Sequence, residues 1–257
     1  MDTRDARPVG GPYFDQLAVG QVVVDAPSVT LTDGLAAAHQ AILGDRLRLP
    51  LDRRLAHAVT GGTVAHPGLV VDVAIGQSTL VTQRVRANLF YRGLRLLTAP
   101  RIGDTLTTRT EVVGLKTNSH SPGRTPTGLA ALRITTTDQD GRTVLDFHRC
   151  AMLPLAPGVD PDSCAHTDDL AAVGTATTRP WATPDAWDLA AYRAAVPGAG
   201  DPLPAEGTVL RPGADVVSSA PELARLTLNI AQTHHDARVS GAGRLVYGGH
   251  TIGLALS

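Results

Sequence analysis

Lysine is almost missing from this chain. Of its 23 basic residues only Lys116 is a lysine, and 24 acidic residues bring the net charge to −1. A chain so balanced has no bulk basic field with which to recruit nucleic acid or an anionic membrane surface. The Ala/Arg-rich, Lys-poor bias reads as genome composition, so the arginines as a group carry no phosphate-binding signal. Cysteine is scarce as well: Cys150 and Cys164 are too few for a disulfide framework and lack a metal-ligand spacing. They read as two reduced thiols in a cytosolic protein. The N-terminus, MDTRDARPVGGPYF, has no apolar h-region, and no run approaches the roughly 18 apolar residues of a membrane span. Together these absences predict a soluble, cytoplasmic protein with no nucleic-acid and no membrane partner.

What is present is an ordinary globular composition, 43% hydrophobic and 18% charged, over 257 residues, enough for one large domain or two small ones. Residues 1–12 are charged and Gly/Pro-rich, a loose lead-in. Residues 14–24 read as an entry loop and a short strand. Thr32 or Asp33 caps a helix over LAAAHQAIL that Gly44-Asp45 ends, and residues 47–55, with Pro50, read as a loop. Ala65-His66-Pro67-Gly68 then opens LVVDVAIGQSTLV, read as a buried helix with strand as its rival because of its valines.

From Asn88 the texture turns to β. Four β-rich runs follow, the last two joined as a hairpin around Asp138-Gln139-Asp140-Gly141. A long apolar helix followed by an antiparallel sheet predicts an α+β domain with the sheet wrapped on the helix. Residues 155–178 form a Pro/Gly/Ala/Asp-rich linker. Residues 181–193 read as a short helix, 207–217 as a strand, and Pro221 starts a helix leading into a polar cluster. The order helix, loop, Gly-rich opening, apolar helix therefore occurs twice, at 33–80 and 221–257, a repeat of layout rather than of identity.

The organising stretch is 225–257, RLTLNIAQTHHDARVSGAGRLVYGGHTIGLALS. It gathers Asn229, His234, His235 and Asp236 within eight residues, then opens a new apolar segment at Tyr247-Gly248-Gly249-His250. A spacing of five puts two helical side chains about 140° apart, so Asn229 and His234 converge only if the helix ends between them. A metal site from His234, His235, Asp236 and His250 is not expected, because adjacent histidines rarely fit one ion.

At these residues the chain resembles the MaoC-like dehydratase/hydratase family, built from hotdog folds, often two in one chain. YFDQLAVGQ, AHPGLVVDVAIGQST, PRIGDTLTTRTEVVGL and TTDQDGRTVL carry the likeness in the first half. TLNIAQTHHD and LVYGGHTIGLAL carry it in the second, with the look of the mesaconyl-CoA hydratase branch. The resemblance implies a double hotdog: residues 13–155 a first, non-catalytic hotdog, 156–180 a linker, and 181–257 a second hotdog that lacks the strands expected after its central helix. The family's motif D-x-N-P-x-H falls on Asn229 at the Asp place and His234 at the His place. In the first half the loop around Gly44-Asp45-Arg46 corresponds to the same motif, and Pro50 stands where the His would be.

The implied activity is reversible hydration of an enoyl-CoA thioester, with mesaconyl-CoA or a similar short branched acyl-CoA as substrate. Coenzyme A is part of the substrate, and neither a metal nor a redox cofactor is implied. His234 is expected as acid/base and Asn229 as the group orienting water or substrate, with Asp236 and Tyr247 in support. Backbone N–H groups of Gly248, Gly249 and His250 are expected at the thioester carbonyl, where a helix N-terminus favours developing negative charge. The side chains of His66, His235 and His250 read as structural. Two other readings stay open: a non-catalytic acyl-CoA-binding hotdog, suggested by the amide of Asn229, and a hotdog thioesterase. A homodimer is expected by family analogy.

Overall fold

Six strands between residues 22 and 154 form one antiparallel sheet: β1 (Val22–Val23), β2 (Val29–Thr30), β3 (Ala87–Leu96), β4 (Thr105–Thr117), β5 (Thr127–Thr137) and β6 (Thr143–Pro154). This is a computed structural model, and it describes residues 10–176, 184, 186–198, 202, 204–209, 211, 213, 215–239 and 243–256. Strand order is β1-β4-β5-β6-β3, with β2 pairing farther along β4. Alternation along β4 sends Leu106, Thr108, Thr110 and Val112 inward, as a sheet with one covered face requires. The β5–β6 hairpin forms at the expected turn. Asp138 Oδ1 accepts from the Asp140 and Arg142 N–H groups, 3.0 Å each, and its other oxygen takes Arg142 Nε at 2.8 Å.

The helices of the first half are α1 (Asp33–Leu43), α2 (Arg48–Leu51), α3 (Arg53–Thr60) and α4 (Pro67–Ser78). Thr32 caps α1 by accepting from Leu35 N–H, and Gly44 ends it at φ +69°. Residues 47–55, expected as loop, are mostly helical: α2 and the start of α3 fall within them. Asp52 caps α3 through Leu55 N–H, and Pro50 sits in a first turn whose N–H groups need no helical partner.

The ambiguous apolar run is helix, α4, and it is the centre of the fold. Pro67 occupies its first turn and His66 Nδ1 accepts from Gly68 N–H. Buried residues cover its circumference. Leu69, Val70 and Val73 pack with Leu106 and Val144, while Ala74 and Ile75 join Val112, Leu132, Ile134 and Phe147 of the sheet. This is the sheet-wrapped helix of a hotdog.

The second half lies against this unit. Residues 155–173 run along the sheet: Leu170 packs on Gly114, and Arg92 Nη1 donates to the carbonyls of Leu170, Ala171 and Val173 at 2.9–3.2 Å. Helix α5 (Leu189–Ala195) begins later than expected because Asp188 caps it through Ala191 N–H; residues 181–183 and 185 lie outside the described residues. Among the described residues of 207–217 there is no strand, a correction to the expected one, and those residues are exposed. Helix α6 (Ala220–Leu226), a 3-10 turn (Gln232–His234) and α7 (Gly248–Leu256) complete the order. No helix among the described residues is long and apolar enough to cross a membrane.

Candidate active site

Asp72 is the only ionisable residue of α4, and it lies on a helix with no solvent-facing side. An isolated carboxylate there would be costly, so it needs donors. Two reach it from distant parts of the chain: the Tyr247 hydroxyl donates to Oδ1 at 2.8 Å and His39 Nε2, from α1, to Oδ2 at 3.0 Å. A carboxylate only accepts, so His39 carries its proton on Nε2. Burial and the adjacent Asp72 charge push the Tyr247 hydroxyl well above its ordinary pKa and keep it a donor.

A second buried pair stands alongside. Asp45 follows the left-handed Gly44 that ends α1, and its Oδ1 accepts from Leu47 N–H at 2.9 Å and from His66 Nε2 at 2.9 Å. Gly68 N–H donates to His66 Nδ1, which makes that nitrogen an acceptor and leaves the proton on Nε2, facing Asp45. Burial lowers the His66 pKa, with the Asp45 charge opposing. The His39 and His66 rings are 5.7 Å apart, so the two carboxylate–imidazole pairs are neighbours.

These pairs stand between two cavities. One, of about 470 Å³, is walled by Leu43, Val71, Ile75, Leu94, Leu96 and Ile252, with Asp45, His66, Asp72 and Gly249 at its polar positions. The other, of about 280 Å³, is lined by Asp33, His39, Gln40, Arg53, Asp45 and His66. Asp45 and His66 belong to both.

The expected site residues lie around the Tyr247 side of this arrangement. Helix α6 ends at Leu226, ahead of both Asn229 and His234, so the two are carried by an irregular turn in which Leu228 has φ +60°. That turn approaches α4 backbone to backbone at Gly76, where a Cβ would collide with the Thr227 carbonyl. Asn229 is buried, and its Oδ1 accepts from Ala231 N–H at 3.1 Å, an Asx turn that shapes the loop. His235 Nε2 donates to the Asn229 carbonyl at 2.6 Å and pins the same turn.

His234 Nδ1 donates to the Leu245 carbonyl at 3.0 Å, so Nε2 keeps its lone pair. Burial is the leading cause that lowers its pKa, which keeps the ring neutral. Its ring meets Tyr247 edge-on at 5.6 Å, which places it one aromatic ring away from Asp72. His234 is not among the residues lining the 470 Å³ cavity; Gly249 is.

At the start of α7 the His250 N–H donates to the Tyr247 carbonyl, whereas those of Gly248 and Gly249 have no partner among the described residues. A Cβ on Gly249 would press into Asp72 Oδ1 and the Tyr247 ring, so glycine is what lets α7 close on the pair. The His250 ring is fully buried, and neither nitrogen has a hydrogen-bond partner among the described residues. Asp236 faces outward, held by Arg238 at 2.8–2.9 Å, which pushes its carboxyl down to about 2. It is not brought into the cluster, and His234, His235, Asp236 and His250 do not converge as metal ligands.

Sequence reasoning passed over His39 and Asp72 and took His66 as structural only. The signal was there in LVVDVAIG, since an Asp inside a helix apolar on every side must have partners. His39 offered no such signal, being one polar residue in an amphipathic helix.

No family model matches the chain. Two curated proteins do, each along 72% of its own length: the beta-methylmalyl-CoA dehydratase of Chloroflexus aurantiacus, 27% identical over 96% of this chain, and the mesaconyl-CoA hydratase of Cereibacter sphaeroides, 28% identical over 95%. A conserved hypothetical protein of Mycobacterium tuberculosis, described as a double hotdog, superposes with a TM-score of 0.89 at 62% identity, over 97% of this chain and 76% of that one. A protein described as a MaoC domain dehydratase, from Chloroflexus aurantiacus, superposes at 0.71 with 25% identity, over 98% of this chain and 74% of its own. With the sheet-wrapped α4 and a 62% identical relative of double-hotdog architecture, the chain belongs to the double-hotdog proteins of the MaoC-like dehydratase/hydratase family.

Proposed function

We propose that the protein catalyses reversible hydration of an enoyl-CoA thioester. One observation carries this beyond likeness to hydratases: the 470 Å³ apolar cavity is lined by Gly249, whose first-turn N–H has no partner among the described residues and which lies next to Tyr247, the ring that meets His234. The acyl chain occupies the cavity and the thioester oxygen lies at the Gly248–Gly249 end of α7. In hydration the oxygen of water bonds to C3 while the C2=C3 electron pair moves onto the thioester oxygen. His234 Nε2, neutral and unprotonated, takes the water proton and returns it to C2 as the enolate collapses. Atoms balance with one water and no metal or redox cofactor. Asn229 acts by holding the turn that presents His234, with Tyr247 packed against the imidazole.

The test is loss of enoyl-thioester absorbance on a panel of acyl-CoAs, with mesaconyl-CoA as the reference taken from the curated relatives. His234→Ala should lower turnover by roughly 100-fold or more. An unchanged rate in that variant would remove His234 from the mechanism. A second reading, an acyl-CoA-binding protein without turnover, is favoured by one observation: Asn229 offers an amide, already committed to Ala231 N–H, where the family motif has a carboxylate. Calorimetric binding of a saturated acyl-CoA by wild type that turns over no member of the panel would support it. Sedimentation of the same preparation tests the homodimer expected by analogy.

A further inference from the structure

The cavity's walls and its charges point in one direction. Its polar positions are two acidic side chains: Asp45, which accepts from Leu47 N–H and His66 Nε2, and Asp72, which accepts from the Tyr247 hydroxyl and meets His39 Nε2 at 3.0 Å. No lysine or arginine stands among the described residues that line it. The only other titratable side chains of the lining, His66 and Tyr91, cannot supply a cation: burial keeps the imidazole neutral, its Nε2 proton already committed to Asp45, and burial raises the phenol. The rest of the wall is aliphatic. For size, a cavity of roughly 150 Å³ holds benzene and stays otherwise dry; at about 470 Å³ this one has room for more than a four-carbon acyl group.

We infer that Asp45 and Asp72 are specificity determinants that reject acyl groups carrying a free carboxylate, and that the cavity takes an uncharged apolar acyl chain longer than four carbons. This rests on the acyl-thioester reading above and departs from the reference substrate of the curated relatives, since the mesaconyl group carries a carboxylate of its own. Like charges about 6 Å apart at an effective dielectric of about 20 repel by roughly two powers of ten in affinity. An apolar wall gives nothing back to the rejected group, which would also lose its hydration. A neutral chain loses nothing of the kind and gains by leaving water.

The experiment pairs turnover with binding. Turnover is followed with 2-octenoyl-CoA, crotonyl-CoA and mesaconyl-CoA, and binding of octanoyl-CoA and succinyl-CoA by calorimetry. Octenoyl-CoA is expected to exceed mesaconyl-CoA in kcat/KM, and octanoyl-CoA to bind more tightly than succinyl-CoA, each by roughly 100-fold. Asp45→Asn, which keeps an acceptor for His66 and Leu47 N–H, should narrow both gaps at least about 10-fold by admitting the charged acyl group; loss of affinity for every ligand alike would mark a merely structural Asp45. Mesaconyl- or succinyl-CoA preferred by wild type would overturn the inference while leaving the hydratase reading intact. If wild type turns over none of the three, the hydratase reading fails, and the octanoyl/succinyl ratio still decides the inference.

Discussion

Gly76 offers a perturbation whose sign runs against helix propensity. It lies inside α4, where Gly→Ala in an open helix gains about 1 kcal/mol. Here an added Cβ would stand 2.7 Å from Thr227 C and 3.1 Å from Asn229 N, and closer still to the Thr227 carbonyl oxygen. Carbon pairs rest at about 3.5–4.0 Å and the carbonyl oxygen is the nearest atom, so the 227–229 turn must retreat by well over ~1 Å. All three neighbours are backbone and cannot rotate aside. Overpacking of this kind costs about 1–3 kcal/mol. The retreat also strains the 3.0 Å bond from Ile230 N–H to Thr79 Oγ1, worth about 1 kcal/mol. The hydrogen-bond loss offsets the helix gain, so Gly76→Ala should destabilise by about 1–3 kcal/mol in urea unfolding. The control is Gly34→Ala in α1, where the nearest atom to the new methyl is Thr32 Oγ1 at 3.9 Å; it should stabilise by about 0.4–1 kcal/mol. A Gly76→Ala protein as stable as wild type would refute the backbone contact, and with it the placement of the turn that carries Asn229 and His234.

Three further outcomes test the buried polar groups. Burial lowers the pKa of His66, His148, His234 and His250, so the unfolded chain binds protons more readily than the folded one below about pH 6.5. Their contribution is fully present above that pH and is lost as pH falls through the lowered folded values; urea midpoints flat from pH 8 to pH 5 would contradict it. Arg149 is buried with Nη2 on Thr82 Oγ1 at 2.6 Å and on the Ser78 carbonyl at the end of α4. Arg149→Ala leaves these acceptors bare and opens a void, and should cost about 3 kcal/mol in the same urea assay, whereas Arg149→Met, which fills the space, should cost less. At His250 neither ring nitrogen has a partner among the described residues, so His250→Met should be neutral or raise the thermal midpoint; a large fall would reveal a partner for the ring.

Much of the first half was legible because its signals are local. Thr32 and Gly44 punctuate α1, Asp138 and Gly141 mark the hairpin turn, and strict alternation writes β4 into the chain. Residues 47–55 misled because Pro50 suggests a loop, while the feature that decides, the Asp52 cap, is equally at home in one. In the second half Gly248 and Gly249 announced α7, but 207–217, with its valines, reads as a strand and forms none among the described residues. The site was half legible. His234 and Tyr247 are brought together as their proximity in sequence suggested, and Asp236 is not, because Arg238 two residues on offers a nearer partner. The contacts of Asp72 could not be read, since His39 and Tyr247 are 33 and 175 residues from it and no period or motif links them.

That separation bears on how the chain folds. The sheet and α4 are complete in sequence by residue 154, yet Asp72 then holds only the His39 proton, and the Gly76 face of α4 is uncovered until 227–229 arrives. During synthesis the first half would wait with a half-satisfied carboxylate at its centre. Closing so long a loop adds little entropy cost per extra residue but delays the contact that rewards it. The meeting of Tyr247 with Asp72 therefore ties the centre of the first-formed sheet to the far end of the described chain, and the contact that completes the carboxylate's shell is also one of its longest-range contacts.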